Sequence, residues 1–266
     1  MSSGALALLV LSEALYVRAV VVLRRRGWRV GWGQIAAWHL GWALQGLALV
    51  GPLDSGAQDH LSAHMAQHLL LADIAVPFLL AGVRTPVLVF LLPRPALVVL
   101  ARRRGLRRAF RFLRRPLVAV PVYVLVLYAW HLGFAFEAAL RHPVVHALQH
   151  VSFVGIGVLV WWSALEPQRA RLRGELWKIP YVFATRMVSM FLGMALVFSH
   201  SPWYGDFYGS HTLRDQQTAG GIMMSVDIVI MVAALAYFFW RASSDNDLVE
   251  AAERAEAEAA RATAAT

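Results

Sequence analysis

Apolar residues gather in seven long stretches separated by short polar ones. They run at about 3–23, 33–51, 61–82, 117–136, 144–164, 180–199 and 219–240. A helix rises about 1.5 Å per residue, so ~20 residues cross a hydrocarbon core roughly 30 Å thick. In lipid every backbone N–H and C=O must be bonded inside the protein, and a helix does this within one segment. The pattern predicts an all-α, polytopic membrane bundle of about seven transmembrane helices. Residues 84–100 do not read as an eighth, because Pro86, Pro93 and Pro95 interrupt them. They read as a re-entrant or surface-lying segment. Residues 1–242 thus form one membrane domain, with a basic interfacial segment at 84–116. Residues 243–266, rich in Ala, Glu and Arg, form a charged tail that is either helical or disordered.

Composition supports this reading. Hydrophobic residues make up 59% of the 266 and charged ones 15%, against about 25% charged in a soluble domain. The net charge is +9, but the arginines sit in runs between apolar stretches. That placement fits cytoplasmic loops at an anionic lipid surface rather than nucleic-acid binding. Eight arginines fall within fourteen residues: Arg102, Arg103, Arg104, Arg107, Arg108, Arg111, Arg114 and Arg115. Such a run reads as an interfacial amphipathic helix. Other basic loops carry Arg24, Arg25, Arg26 and Arg29, then Arg169, Arg171, Arg173 and Lys178. The three intervening loops carry Asp54 and Asp59, then Glu137 and Arg141, then Asp206, Arg214 and Asp215. The alternation predicts the N-terminus outside and the C-terminus inside. The first stretch lacks a basic leader and a clear cleavage site, and reads as a retained span. There is no cysteine, which excludes disulfides, thiolate metal sites and Cys nucleophiles.

On this topology nine of the ten histidines fall on the outer side; His39 is the exception. His60, His64 and His68 open the third stretch, and His131 lies near the outer end of the fourth. His142, His146 and His150 lead into the fifth. His200 ends the sixth, and His211 follows it. Residues four apart share a helix face. The pairs His64–His68 and His146–His150 can therefore each present two imidazoles to one point, with His131 arriving from a third helix. Imidazole suits copper, zinc and iron. A single interfacial histidine is more often an anchor or a hydrogen-bonded core residue; two such pairs at one depth favour a metal site. Met65, Met194, Met223 and Met224 could add soft ligands for Cu(I), although methionine is also ordinary helix packing.

Charges inside spans are expensive in lipid and normally face the bundle interior, paired. Glu13, Asp73, Arg186 and Asp227 are such residues. Structural ion pairs, partners for the histidines, and a proton or ion path are the open readings, with Asp73 the favoured partner. Asp215, Gln216 and Gln217 immediately precede the seventh stretch. They can cap that helix, or hydrogen-bond the ring nitrogens of ligating histidines.

Several of these segments resemble one family. His64-Met65-Ala66-Gln67-His68-Leu69-Leu70-Leu71 resembles the signature of the CtaG cytochrome c oxidase assembly factors. Trp130-His131, His146-Ala147-Leu148-Gln149-His150 running on to Trp161-Trp162, and Ser201-Pro202-Trp203-Tyr204 follow in the family's order. Asp215-Gln216-Gln217-Thr218-Ala219-Gly220-Gly221-Ile222-Met223 completes it. Together they span roughly residues 33–240. The resemblance implies a bacterial plasma-membrane protein of about seven helices, not an enzyme, that helps mature a haem–copper oxidase. It implies copper handling by His64, His68, His131, His146 and His150. Cytochrome c oxidase subunits, other copper chaperones and the lipid bilayer would be its partners. Met65, Asp73, His200, Asp215, Gln216, Gln217, Met223 and Asp227 are possible additional or supporting residues. Three alternatives remain open: a membrane electron-transfer protein with haem b held by two histidines, a copper or proton transporter using Asp73 and Asp227, and a structural assembly scaffold that holds no metal. No nucleophile–base pair, P-loop or dinucleotide fingerprint is present.

Overall fold

The computed structural model describes residues 3–165, 176–208 and 212–264. Arg169, Arg171, Arg173 and His211 lie outside the described residues. All regular structure among the described residues is helical.

The first stretch is α1 (Ser3–Arg25). Its end is set by Gly27, whose φ of +80° places it in the left-handed region that side chains avoid. The Gly27 N–H donates to the Arg24 carbonyl and the Trp28 N–H to the Leu23 carbonyl, capping the last turn. α2 (Trp32–Val50) returns beside it, with Tyr16 stacked on Trp38 at 4.3 Å. A short α3 (Pro52–Asp59) leads to the third span. That span is one continuous rod of three parts: α4 (Leu61–Leu69), a π-helical turn (Leu70–Ile74) and α5 (Ala75–Gly82). It is the most enclosed of the long apolar helices. The wide π turn leaves backbone carbonyls to neighbours. The Gln45 side chain of α2 donates to the Leu71 carbonyl at 2.8 Å.

The proline-interrupted segment forms α6 (Val87–Phe90) and α7 (Arg94–Arg102), and the arginine run forms α8 (Arg104–Leu113). Neither α7 nor α8 buries a residue. Leu106, Phe110 and Leu113 share one side of α8 and the arginines take the rest, the pattern of a helix lying in a membrane surface. At Arg114–Arg115 the chain bends by 84° into α9 (Pro116–Trp130). The stretch expected to be helical from 117 to 136 breaks here: His131 ends α9, Leu132 is extended, and α10 (Gly133–Arg141) begins anew. The break is held from outside, because the Tyr204 hydroxyl donates to the His131 carbonyl at 2.8 Å.

α11 (Pro143–Leu165) and α12 (Lys178–Phe198) are the fifth and sixth stretches. After a one-turn α13 (Gly205–Tyr208), α14 runs unbroken from Thr212 to Ala264. It starts seven residues before the expected seventh stretch and carries the tail as helix. α12 and α14 meet through Gly193 and Gly220. A Cβ on Gly220 would stand 2.5 Å from the Gly193 carbonyl oxygen, so only small residues allow this approach.

Five helices are long and apolar enough to cross a membrane, and a sixth if the bent pair α8–α9 counts as one span. α2 is helical over 19 residues, but Gln34, His39 and Gln45 leave it less apolar than those five. At the bundle centre Arg186 of α12 lies between two acids. Its Nη1 is 3.0 Å from Asp227 Oδ1 on α14 and 2.7 Å from Asp73 Oδ1 in the π turn, the latter off the line of a good hydrogen bond. Its Nη2 donates to the Tyr123 hydroxyl at 3.3 Å.

Candidate metal centre

Helix geometry carries the two histidine pairs to one place. His64 and His68 lie on one face of α4, and His146 and His150 on one face of α11. The two faces meet, and the four imidazoles close a ring. Centroids are 4.3 Å apart from His64 to His68, 5.3 Å from His68 to His150, 4.2 Å from His150 to His146 and 5.3 Å from His146 to His64. Nitrogens of His64, His68 and His146 all lie within 4.8 Å of one another. α11 can approach this closely because Gly157 lies against the backbone of Ala72.

His64 is 0%, His68 5% and His150 9% exposed; His146 is half-buried. Both nitrogens of His64 and of His68, and Nε2 of His146 and His150, lack a partner in hydrogen-bonding geometry among the described residues. Leaving a buried polar atom unpaired costs about 1–3 kcal/mol. A cluster of such atoms in one spot is therefore unfavourable unless something satisfies them together. A metal ion bonded to one nitrogen of each ring would satisfy four of these six atoms, because each neutral imidazole offers it one lone pair. With nitrogen as the only donor type in the ring, the set suits copper or zinc and not a hard cation such as magnesium.

Aromatic side chains cover the His64 and His68 side of the ring. Phe153 packs on His68 at 4.4 Å and Phe136 on His64 at 5.0 Å. Phe136 in turn stacks on Tyr204 at 4.0 Å. Burial raises the Tyr204 phenol well above its usual pKa, so it remains a donor to the His131 carbonyl. Tyr204 is held by Gln216, 0% exposed, whose amide oxygen accepts from the Trp203 N–H at 2.7 Å. The Gln216 amide nitrogen donates to the Leu196 and Ser201 carbonyls, each at 3.3 Å. The Ser201–Tyr204 turn is thus tied to α12 and α14 and pressed on the aromatic wall of the ring.

The other residues singled out by sequence take different places. Asp215 makes its side-chain bonds away from its own helix and from the imidazoles among the described residues. It crosses to the start of α4 and accepts from the Leu61 N–H and the Ser62 hydroxyl, both at 2.5 Å. Asp73 pairs with Arg186, as does Asp227. Gln217 and His200 are exposed, as are His60 and His142. His39 is exposed and pairs with Glu13 at 3.1 Å. Met194 and Met224 are half-buried. His131 makes no ring contact with the four among the described residues. Its Nδ1 bonds the Leu127 carbonyl at 2.7 Å, and its Nε2 faces the Met65 sulfur at 3.4 Å. The buried Met223 lines the same small cavity as Met65, His68, Asp73 and His131.

The phenylalanines could not be told from ordinary core by sequence. A repeated pentapeptide could have been noticed: His64 to His68 and His146 to His150 both read His-x-x-Gln-His. Both glutamines are 0% exposed. Gln67 donates to the Ala48 carbonyl at 2.7 Å, whereas neither amide atom of Gln149 is paired.

Residues 14–245 match the family described as cytochrome c oxidase caa3 assembly factor (Caa3_CtaG). Among curated proteins, the Uncharacterized protein Mb0105 of Mycobacterium bovis is 29% identical over 249 residues, covering 83% of this chain and 36% of that protein. The Uncharacterized protein MT0111 of Mycobacterium tuberculosis matches with the same identity and coverage. The chain spans little more than a third of the length of these relatives. No solved structure matches the chain. With the family match covering most of its length, the chain belongs to the caa3-type cytochrome c oxidase assembly factors of the CtaG family.

Proposed function

We propose that this assembly factor binds copper at the ring of His64, His68, His146 and His150 and delivers it to a cytochrome c oxidase subunit. It would act in the bacterial plasma membrane, as about seven spans with the N-terminus outside, so that the ring opens at the outer face. Copper would come from another copper chaperone. The observation that carries this reading is the closed ring of four imidazoles whose buried nitrogens find no partner in good hydrogen-bonding geometry among the described residues. Such a site is suited to transfer. Its ligands stand on two helices, and His146 is half-buried, which leaves a side for a partner to approach.

Ring spacings of 4.2–5.3 Å favour a small ion over haem b, which needs a slot wide enough for a porphyrin between its axial imidazoles. Asp73 and Asp227 share one arginine, which favours an ion pair over a transport path. The test is complementation. A strain lacking the gene is supplied with the wild-type chain or with His64→Ala/His146→Ala at equal membrane abundance, and the copper content of the purified oxidase is measured. The account expects copper-depleted oxidase with the variant; fully loaded oxidase from both would contradict it.

A further inference from the structure

Behind the imidazole ring lies a small cavity, with about 20 Å³ open to the centre of a water molecule. That is enough for about one water or one ion. Its walls include Met65, His68, His131, Met223 and Asp73. His68 belongs both to these walls and to the ring. Met65 follows His64 in the chain, so the helical turn of about 100° per residue points it away from the ring and into the cavity.

The contact between His131 and Met65 has an unusual polarity. A carbonyl oxygen only accepts, so the 2.7 Å bond from His131 Nδ1 to the Leu127 oxygen fixes the ring proton on Nδ1. In the neutral ring Nε2 is then a bare lone pair. It faces the Met65 sulfur at 3.4 Å, and a thioether is also only an acceptor. Two lone pairs are thus aimed at one another in a site where His131 is 6% and Met65 1% exposed. Protonating His131 would resolve this only by burying an imidazolium. A soft cation resolves it directly. Metal–nitrogen and metal–sulfur bonds of about 2.0 and 2.3 Å span 3.4 Å at a roughly tetrahedral angle. Met223, 2% exposed, brings a second thioether to the same walls. Asp73 is also on the cavity wall, and its guanidinium partner Arg186 is shared with Asp227.

We propose that His131 and Met65, with Met223 on the same cavity, form a second, sulfur-containing Cu(I) subsite behind the imidazole ring, joined to it by His68. The chemistry separates the two. An all-nitrogen ring accepts copper or zinc, whereas a thioether site selects Cu(I). The inner subsite therefore stores or proofreads the monovalent ion. This proposal rests on the copper reading above and is tested so that the two can fail separately.

The purified full chain is loaded anaerobically with Cu(I). Bound copper is counted, and its ligands are read by copper X-ray absorption. The same is done for Met65→Leu and for a variant with His64, His68, His146 and His150 all changed to Ala. The expected result is about two equivalents in the wild type, with a sulfur neighbour at about 2.3 Å. Met65→Leu should keep about one equivalent, nitrogen-bound, with the sulfur signal lost. The four-alanine variant should keep the sulfur-bound equivalent. Copper bound by nitrogen alone in the wild type overturns the subsite and leaves the imidazole ring standing, as does an unchanged count and spectrum in Met65→Leu. No copper in any of the proteins overturns both.

Discussion

Asp215 accepts hydrogen bonds from the Leu61 N–H and the Ser62 hydroxyl, 154 and 153 positions earlier in the chain. α14 thereby supplies the N-terminal cap of α4, the helix that carries His64 and His68. The first N–H groups of a helix have no partner within it, and a carboxylate there also meets the positive end of the helix dipole. The cap fixes the start of α4 and with it the height of both imidazoles.

Removing that cap should loosen the site as well as the fold. Asp215→Ala is expected to lower stability by about 1–2 kcal/mol, the usual cost of losing a cap bonded to backbone N–H groups. Thermal unfolding in detergent measures this. Asp215→Asn, which retains one acceptor oxygen, should lose less; equal losses would show that the side chain does not act as a cap.

The Asp73–Arg186–Asp227 cluster makes a sharper prediction. Arg186 is 1% exposed, and removing it strands two buried carboxylates. Arg186→Met should destabilise by about 3–5 kcal/mol. Adding Asp73→Asn and Asp227→Asn should restore most of the loss, because no buried charge is then left unpaired. A triple variant as unstable as Arg186→Met would mean that the arginine acts by shape and not by charge.

The α12–α14 contact ranks two glycines. A Cβ at Gly220 meets the Gly193 carbonyl oxygen at 2.5 Å, whereas one at Gly193 meets the Gly220 oxygen at 3.0 Å. The first requires backbone movement and the second a smaller adjustment. Gly220→Ala should cost about 1–3 kcal/mol, within the range for overpacking, and more than Gly193→Ala. Unfolding midpoints of the two variants check the order.

Much of this arrangement was legible in local sequence. The apolar stretches marked the long helices because a span must be about 20 residues of low polarity. The four-residue spacing of His64–His68 and His146–His150 fixed each pair on one face because that is a property of the single helix. What the spacing could not say was that the two faces meet; that depends on small residues such as Gly157 letting α11 approach the π turn. His131 illustrates a second limit. Its place near the outer end of the fourth stretch is legible, but the helix stop at that residue is not. His131 ends α9, and Tyr204, more than seventy residues later, takes up its carbonyl. Asp215 and Gln216 read as polar residues outside a span, and their partners on α4 and in the Ser201–Tyr204 turn are tertiary. Asp73 and Asp227 were recognisable as needing a partner, but their sharing of Arg186 required three helices to be in place.

The most direct measurement is anaerobic Cu(I) titration of the detergent-purified chain against the variant with His64, His68, His146 and His150 all changed to Ala. The account predicts that the wild type takes up copper into the imidazole ring and that the variant loses that equivalent while remaining folded. Equal copper uptake by the two folded proteins would contradict it.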